Sequence, residues 1–117
     1  MLLAEAGARL VFAANGDTLV NGGITADYDF AAGGVSFNNS GDDLYLGADV
    51  GGSVVTIDGV SFLEAAGWPA AKGASIELND RRVTTADNDE AANWCMATGI
   101  AGSTSDLGSP GAASSGC

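Results

Sequence analysis

Asp42-Asp43-Leu44-Tyr45-Leu46, the turn Asp49-Val50-Gly51-Gly52 and the run Ser53-Val54-Val55-Thr56-Ile57 decide the fold. Side chains of an extended segment alternate between faces, so Leu44 and Leu46 share one face and Tyr45 takes the other. Two glycines between such segments favour a tight chain reversal, and the stretch predicts a β-hairpin. Asp58-Gly59 interrupts the second arm before Val60-Ser61-Phe62. A glycine inside a strand predicts a bulge or a close backbone approach there.

The same alternation extends outward. Upstream, Arg9-Leu10-Val11-Phe12-Ala13-Ala14 reads as a strand stopped by Asn15-Gly16-Asp17, and Thr18-Leu19-Val20 as a brief continuation. Tyr28 and Phe30 alternate with Asp27 and Asp29, and Val35-Ser36-Phe37 follows the same pattern. Downstream, Leu63 to Gly67 predicts a helical turn ended by Gly67 and Pro69. Ala74 to Leu78 predicts a strand in which Glu77, between Ile76 and Leu78, points outward. Arg81 to Thr84 is a candidate short pairing, Ala91 to Met96 returns to buried character, and the small residues from Gly99 onward predict an irregular wrap. Strands every ~8–12 residues, separated by Gly, Asn and Asp turns, predict an all-β sandwich or barrel. The 117 residues suit one domain, 1–117.

Composition narrows the function. Fifteen acidic residues against four basic ones give a net charge of −11, with Arg9, Lys72, Arg81 and Arg82 the only cations. A duplex-binding surface needs several Lys or Arg to replace phosphate counterions, so nucleic acid and anionic membrane surfaces are poor partners. No apolar run reaches the ~18 residues of a membrane span. Met1-Leu2-Leu3-Ala4 runs straight into Glu5, without the apolar core of a signal peptide, so an export signal is expected upstream.

The chain contains no histidine, which removes histidine bases, histidine metal ligands and Ser-His-Asp chemistry together. Gly-x-Ser-x-Gly and Ser-x-x-Lys do not occur, and the glycine-rich turns lack the Lys-Ser/Thr ending of a phosphate loop. Asp87-Asn88-Asp89-Glu90 resembles the start of a calcium loop, but Ala91 stands where a third ligand belongs. An irregular calcium site built from loops remains an alternative to solvated turn residues. Cys95 and Cys117 suit one disulfide or two buried thiols; a cysteine at an unanchored chain end favours the disulfide and an oxidising compartment. Trp94, beside Cys95, reads as a core ring packed on that disulfide. Trp68, in the loop before Pro69, is the more exposed tryptophan on this reading, and with Tyr45 the candidate contact for a sugar ring.

Together, Asn39-Ser40-Gly41-Asp42, Leu44-Tyr45-Leu46 and the run from Val54 to Phe62 resemble the central part of a lamin-tail domain. Gly73 to Leu78, Asn93-Trp94-Cys95, Gly108-Ser109-Pro110-Gly111-Ala112 and the final Cys117 resemble the later part of the bacterial secreted members. The resemblance covers most of the chain and lies in the order and spacing of the segments. It implies an immunoglobulin-like β-sandwich without catalytic activity or cofactor, one module of a larger exported or surface protein. Its expected partner is a protein or another domain of the parent chain. A carbohydrate-binding sandwich with a loop calcium is the alternative from another functional class.

Two departures stand out. The acidic charge argues against the chromatin contacts of animal relatives. The family's opening strands do not precede Leu10, and Glu5 to Ala13 resembles its third strand, which predicts a domain shortened at its N-terminus with Met1 as an internal start. An uncovered sheet edge would follow, and with it strand donation or dimerisation.

Overall fold

The computed structural model describes residues 4–117. The chain is β-rich, as the alternation predicts, and its strands pair as three two-stranded sheets among the described residues. The strands are β1 (Phe12–Ala13), β2 (Tyr28–Asp29), β3 (Gly41–Val50), β4 (Ser53–Leu63), β5 (Ile76–Leu78) and β6 (Trp94–Met96).

The β3–β4 hairpin dominates. Gly51 and Gly52 have φ of 64° and 87°. Positive φ at both central positions gives the turn whose twist matches that of the flanking strands. The Asp49 carboxylate accepts the Gly52 N–H at 2.8 Å and fixes the reversal. The register runs from Val50 opposite Ser53 to Gly41 opposite Leu63, with one irregularity between Leu46 and Gly47. Leu46 faces Asp58 and Gly47 faces Thr56, so Ile57 is the extra residue of a bulge. Gly59 serves the other expected purpose, close approach: a Cβ there would meet Cδ1 of the Tyr45 ring at 2.5 Å.

The N-terminal region is less regular than expected. The Arg9–Ala14 strand is reduced to β1, which pairs in parallel with β2. Thr18 to Val20 lie in turns, held because Asp17 accepts the Val20 and Asn21 N–H groups. Val35 to Phe37 and Arg81 to Thr84 form no strand. Phe37 instead packs edge-on against Phe30 at 5.3 Å. The predicted helical turn is present as a 3-10 turn over Glu64–Ala66, ended by Gly67 at φ 91°.

The core is thin. Among the described residues only Trp68 and Ala97 are buried apolar side chains. Trp68, expected at the surface, is 8% exposed and packs on Trp94 at 5.5 Å between ring centroids. A short loop at Gly67 turns it inward, where its large apolar area is removed from water. Trp94 does not sit on the disulfide as expected. It neighbours Cys95 along β6, so the two side chains point to opposite faces of that ribbon. The chain exposes 7979 Å², whereas a compact monomer of this length exposes about 5,800 Å².

Candidate interaction surface

Two regions hold the side chains that could carry function, and they differ in kind. The first is the β5–β6 ribbon with the segment that covers it. Glu77 lies opposite Cys95 across the ribbon, so both project from one face. Cys95 is bonded to Cys117, which brings the last residues over that face. Glu77, expected to point to solvent, is therefore 8% exposed. Its carboxylate accepts the Ser115 N–H at 2.6 Å and the Gly116 N–H at 3.0 Å. It also accepts the hydroxyls of Ser109 at 2.5 Å, Ser114 at 3.1 Å and Ser115 at 3.1 Å. Burial alone would raise its pKa, but these donors outweigh it and hold the carboxyl below the ordinary glutamate range. A carboxylate held by this many donors is a structural anchor for the C-terminal segment. Asp80 adds a further acceptor for the Ser114 N–H at 3.2 Å.

Sequence reasoning missed Glu77 because alternation with Ile76 and Leu78 assumes one dry face. Both faces of β5 are covered here, one by the tryptophans' side and one by the C-terminal segment. The available signal was the serine cluster Ser109, Ser114 and Ser115 close before Cys117, which offers hydroxyl and amide donors to a buried acid.

The second region is the hairpin, and it is open. Leu44, Leu46, Val50 and Ile57 are 49%, 56%, 62% and 58% exposed, and Tyr45 is 64% exposed. The Glu64 N–H donates to the Ser40 carbonyl at 3.0 Å, so Ser40 and Glu64 form a hydrogen-bonded pair just beyond the strands. In an antiparallel ladder such pairs alternate. Asp42, Leu44 and Leu46 accordingly face β4 with their main-chain groups, while Asp43, Tyr45, Gly47 and Asp49 direct theirs away from it. Asp42 caps one of these outward donors, accepting the Asp43 N–H at 2.9 Å. It also accepts the Asn38 N–H, and these two bonds, that to Asn38 first, hold its pKa below the ordinary aspartate value. On β4, Asp58 caps the outward Gly59 N–H in the same way at 2.9 Å.

The two edges are not equivalent. Asn88 donates to the Asp58 carboxylate at 2.7 Å, and the Trp94 indole N–H donates to the Asn88 carbonyl at 2.8 Å. These bonds bring the loop around Asn88 against β4. A shallow hollow of about 470 Å³ lies there between Tyr45, Ile57, Asp58, Thr85 and Asp89. Among the described residues β3 pairs with β4 alone, which leaves its other edge without a strand partner.

Of the four site residues expected from sequence, the structure joins Cys95 to Cys117 and leaves Tyr45 exposed, but it separates Trp68 from Tyr45 by burying the tryptophan. No shared aromatic platform results. Among the described residues no three acidic or cysteine side chains gather closely enough to hold a metal ion, and Asp87 is engaged by the Thr84 N–H and hydroxyl. No described helix is long and apolar enough to cross a membrane. No known protein family, curated protein or solved structure matches the chain.

Proposed function

We propose that this chain is a non-catalytic module of an exported or surface protein, of immunoglobulin-like, lamin-tail type, that contacts another protein or a neighbouring domain. The single observation that carries the reading is the β3–β4 hairpin, whose apolar side chains lie in water along two long strands. Contiguous exposed apolar surface on a small domain marks a contact site. The Cys95–Cys117 disulfide suits an oxidising compartment. The absence of histidine from the sequence and the anchoring role of Glu77 support a non-catalytic role.

A photo-crosslinking side chain at Tyr45 of the parent protein, displayed on its producing cell, tests this. The expected result is a discrete protein adduct that the same probe at the exposed Leu19 does not give. Saturable polysaccharide binding lost in Tyr45→Ala, with no protein adduct, would replace this reading by the carbohydrate one.

A further inference from the structure

We infer that the outer edge of β3 is a docking site for one added β-strand, supplied by a partner protein, whose side chains alternate apolar with Lys or Arg. The inference rests on the protein-contact reading and deepens it.

The register dictates the chemistry. Along β3, Asp43, Tyr45, Gly47 and Asp49 share one face, and Asp42, Leu44, Leu46, Ala48 and Val50 share the other. An added strand places its own alternate residues beside these two sets. On the first face it meets the Asp43 and Asp49 carboxylates, which favour Lys or Arg through ion pairing, while the Tyr45 ring between them lies over Gly59 towards β4. On the second face it meets a nearly continuous aliphatic row, which favours Val, Ile or Leu. The main-chain groups of Tyr45, Gly47 and Asp49 point outward by the ladder alternation and supply the hydrogen bonds of strand addition.

Charge argues for this occupant over a second copy of the chain. The hairpin from Gly41 to Leu63 carries Asp42, Asp43, Asp49 and Asp58 and no Lys or Arg. Pairing two such edges would set aspartates against aspartates, within chains of net charge −11 each. The chain as a whole exposes about 2,000 Å² more than a compact monomer, and the open hairpin is part of that surface. The edge carries no lysine and no proline, and its charges are all acidic, which deters another acidic edge and admits a basic strand.

The probe is a blocked ten-residue peptide alternating valine with lysine, tested by calorimetry on the full chain with its disulfide intact. Three comparison peptides accompany it: a scrambled sequence of the same composition, one N-methylated at every second residue, and one with glutamate for lysine. The alternating peptide is expected to bind and to slow amide exchange at Tyr45 and Gly47. N-methylation of the edge-facing amides removes several main-chain bonds and is expected to weaken binding at least about tenfold. The glutamate peptide is expected not to bind, and Asp43→Asn combined with Asp49→Asn to weaken the lysine peptide about fivefold. Equal binding of the scrambled or N-methylated peptide would overturn the inference, as it would show charge attraction alone. No binding of the alternating peptide, or self-association of the chain through β3, would also overturn it. A Tyr45 protein adduct obtained alongside a failed peptide would leave the protein-contact reading standing and dismiss only the strand.

Discussion

Replacing Glu77 by alanine is predicted to release the C-terminal segment from β5–β6. The carboxylate has five donors around it, but they do not count equally. The hydroxyls of Ser109, Ser114 and Ser115 can rotate towards water, whereas the N–H groups of Ser115 and Gly116 are fixed by the backbone. Each buried N–H left without an acceptor costs about 1–3 kcal/mol. Ser115 is exposed and Gly116 only half-buried, which favours the lower part of that range and gives about 2–4 kcal/mol in total. Glu77→Gln keeps one oxygen for the two N–H groups, and its amide can donate to rotated serine hydroxyls. It loses only the charge-assisted part, about 1 kcal/mol. The disulfide, closing a loop of 22 residues, contributes about 3 kcal/mol by loop entropy. Anchor and disulfide therefore restrain the same segment with comparable strength, and their losses should couple rather than add.

Urea unfolding followed by tryptophan fluorescence, with the disulfide oxidised, measures this. The expected order is wild type, then Glu77→Gln, then Glu77→Ala, at pH 7. A Glu77→Ala variant within about 0.5 kcal/mol of wild type would refute the anchor. The pH dependence supplies a second arm. The folded pKa of Glu77 is lowered, so its contribution is present above the unfolded glutamate pKa, about 4.3, and is lost as pH falls below that towards the folded value. The gap between wild type and Glu77→Gln should close over that range.

Trp68→Ala removes the largest buried side chain and is expected to cost about 3 kcal/mol, with loss of the near-ultraviolet dichroism of the Trp68–Trp94 pair; an unchanged spectrum would contradict the packing. Gly116→Ala would place a Cβ against the Met96 carbonyl oxygen and Cys95 Sγ, so oxidative refolding should leave free thiols by titration, and wild-type oxidation would count against the close approach. Gly51→Ala and Gly52→Ala each impose a side chain on a positive φ and are expected to cost about 1 kcal/mol by urea unfolding.

The hairpin was legible because its signals are local: alternating apolar residues, a Gly-Gly turn and an aspartate to cap it. The disulfide was legible from the placement of Cys117. Gly59 makes the close approach, to Tyr45, that was one of the two roles expected of it, while the bulge lies two residues away at Ile57. Glu77 and Trp68 were read with the wrong exposure for one physical reason. Their environments are built by chain segments distant in sequence, Ser109 to Cys117 for one and Trp94 for the other, and no local periodicity reports such contacts. Short strands at Thr18 and Arg81 failed because side-chain and main-chain bonds of Asp17 and Asn79 fold these segments into turns.

Residue-resolved amide hydrogen exchange on the oxidised, monomeric chain tests the central claim most directly, that one end is closed while the β3 edge is open. Slow exchange is expected for the Ser115 and Gly116 amides, held by Glu77, and fast exchange for the outward Tyr45 and Gly47 amides. Strong protection of Tyr45 and Gly47 in the free monomer, or rapid exchange at Ser115 and Gly116, would contradict it.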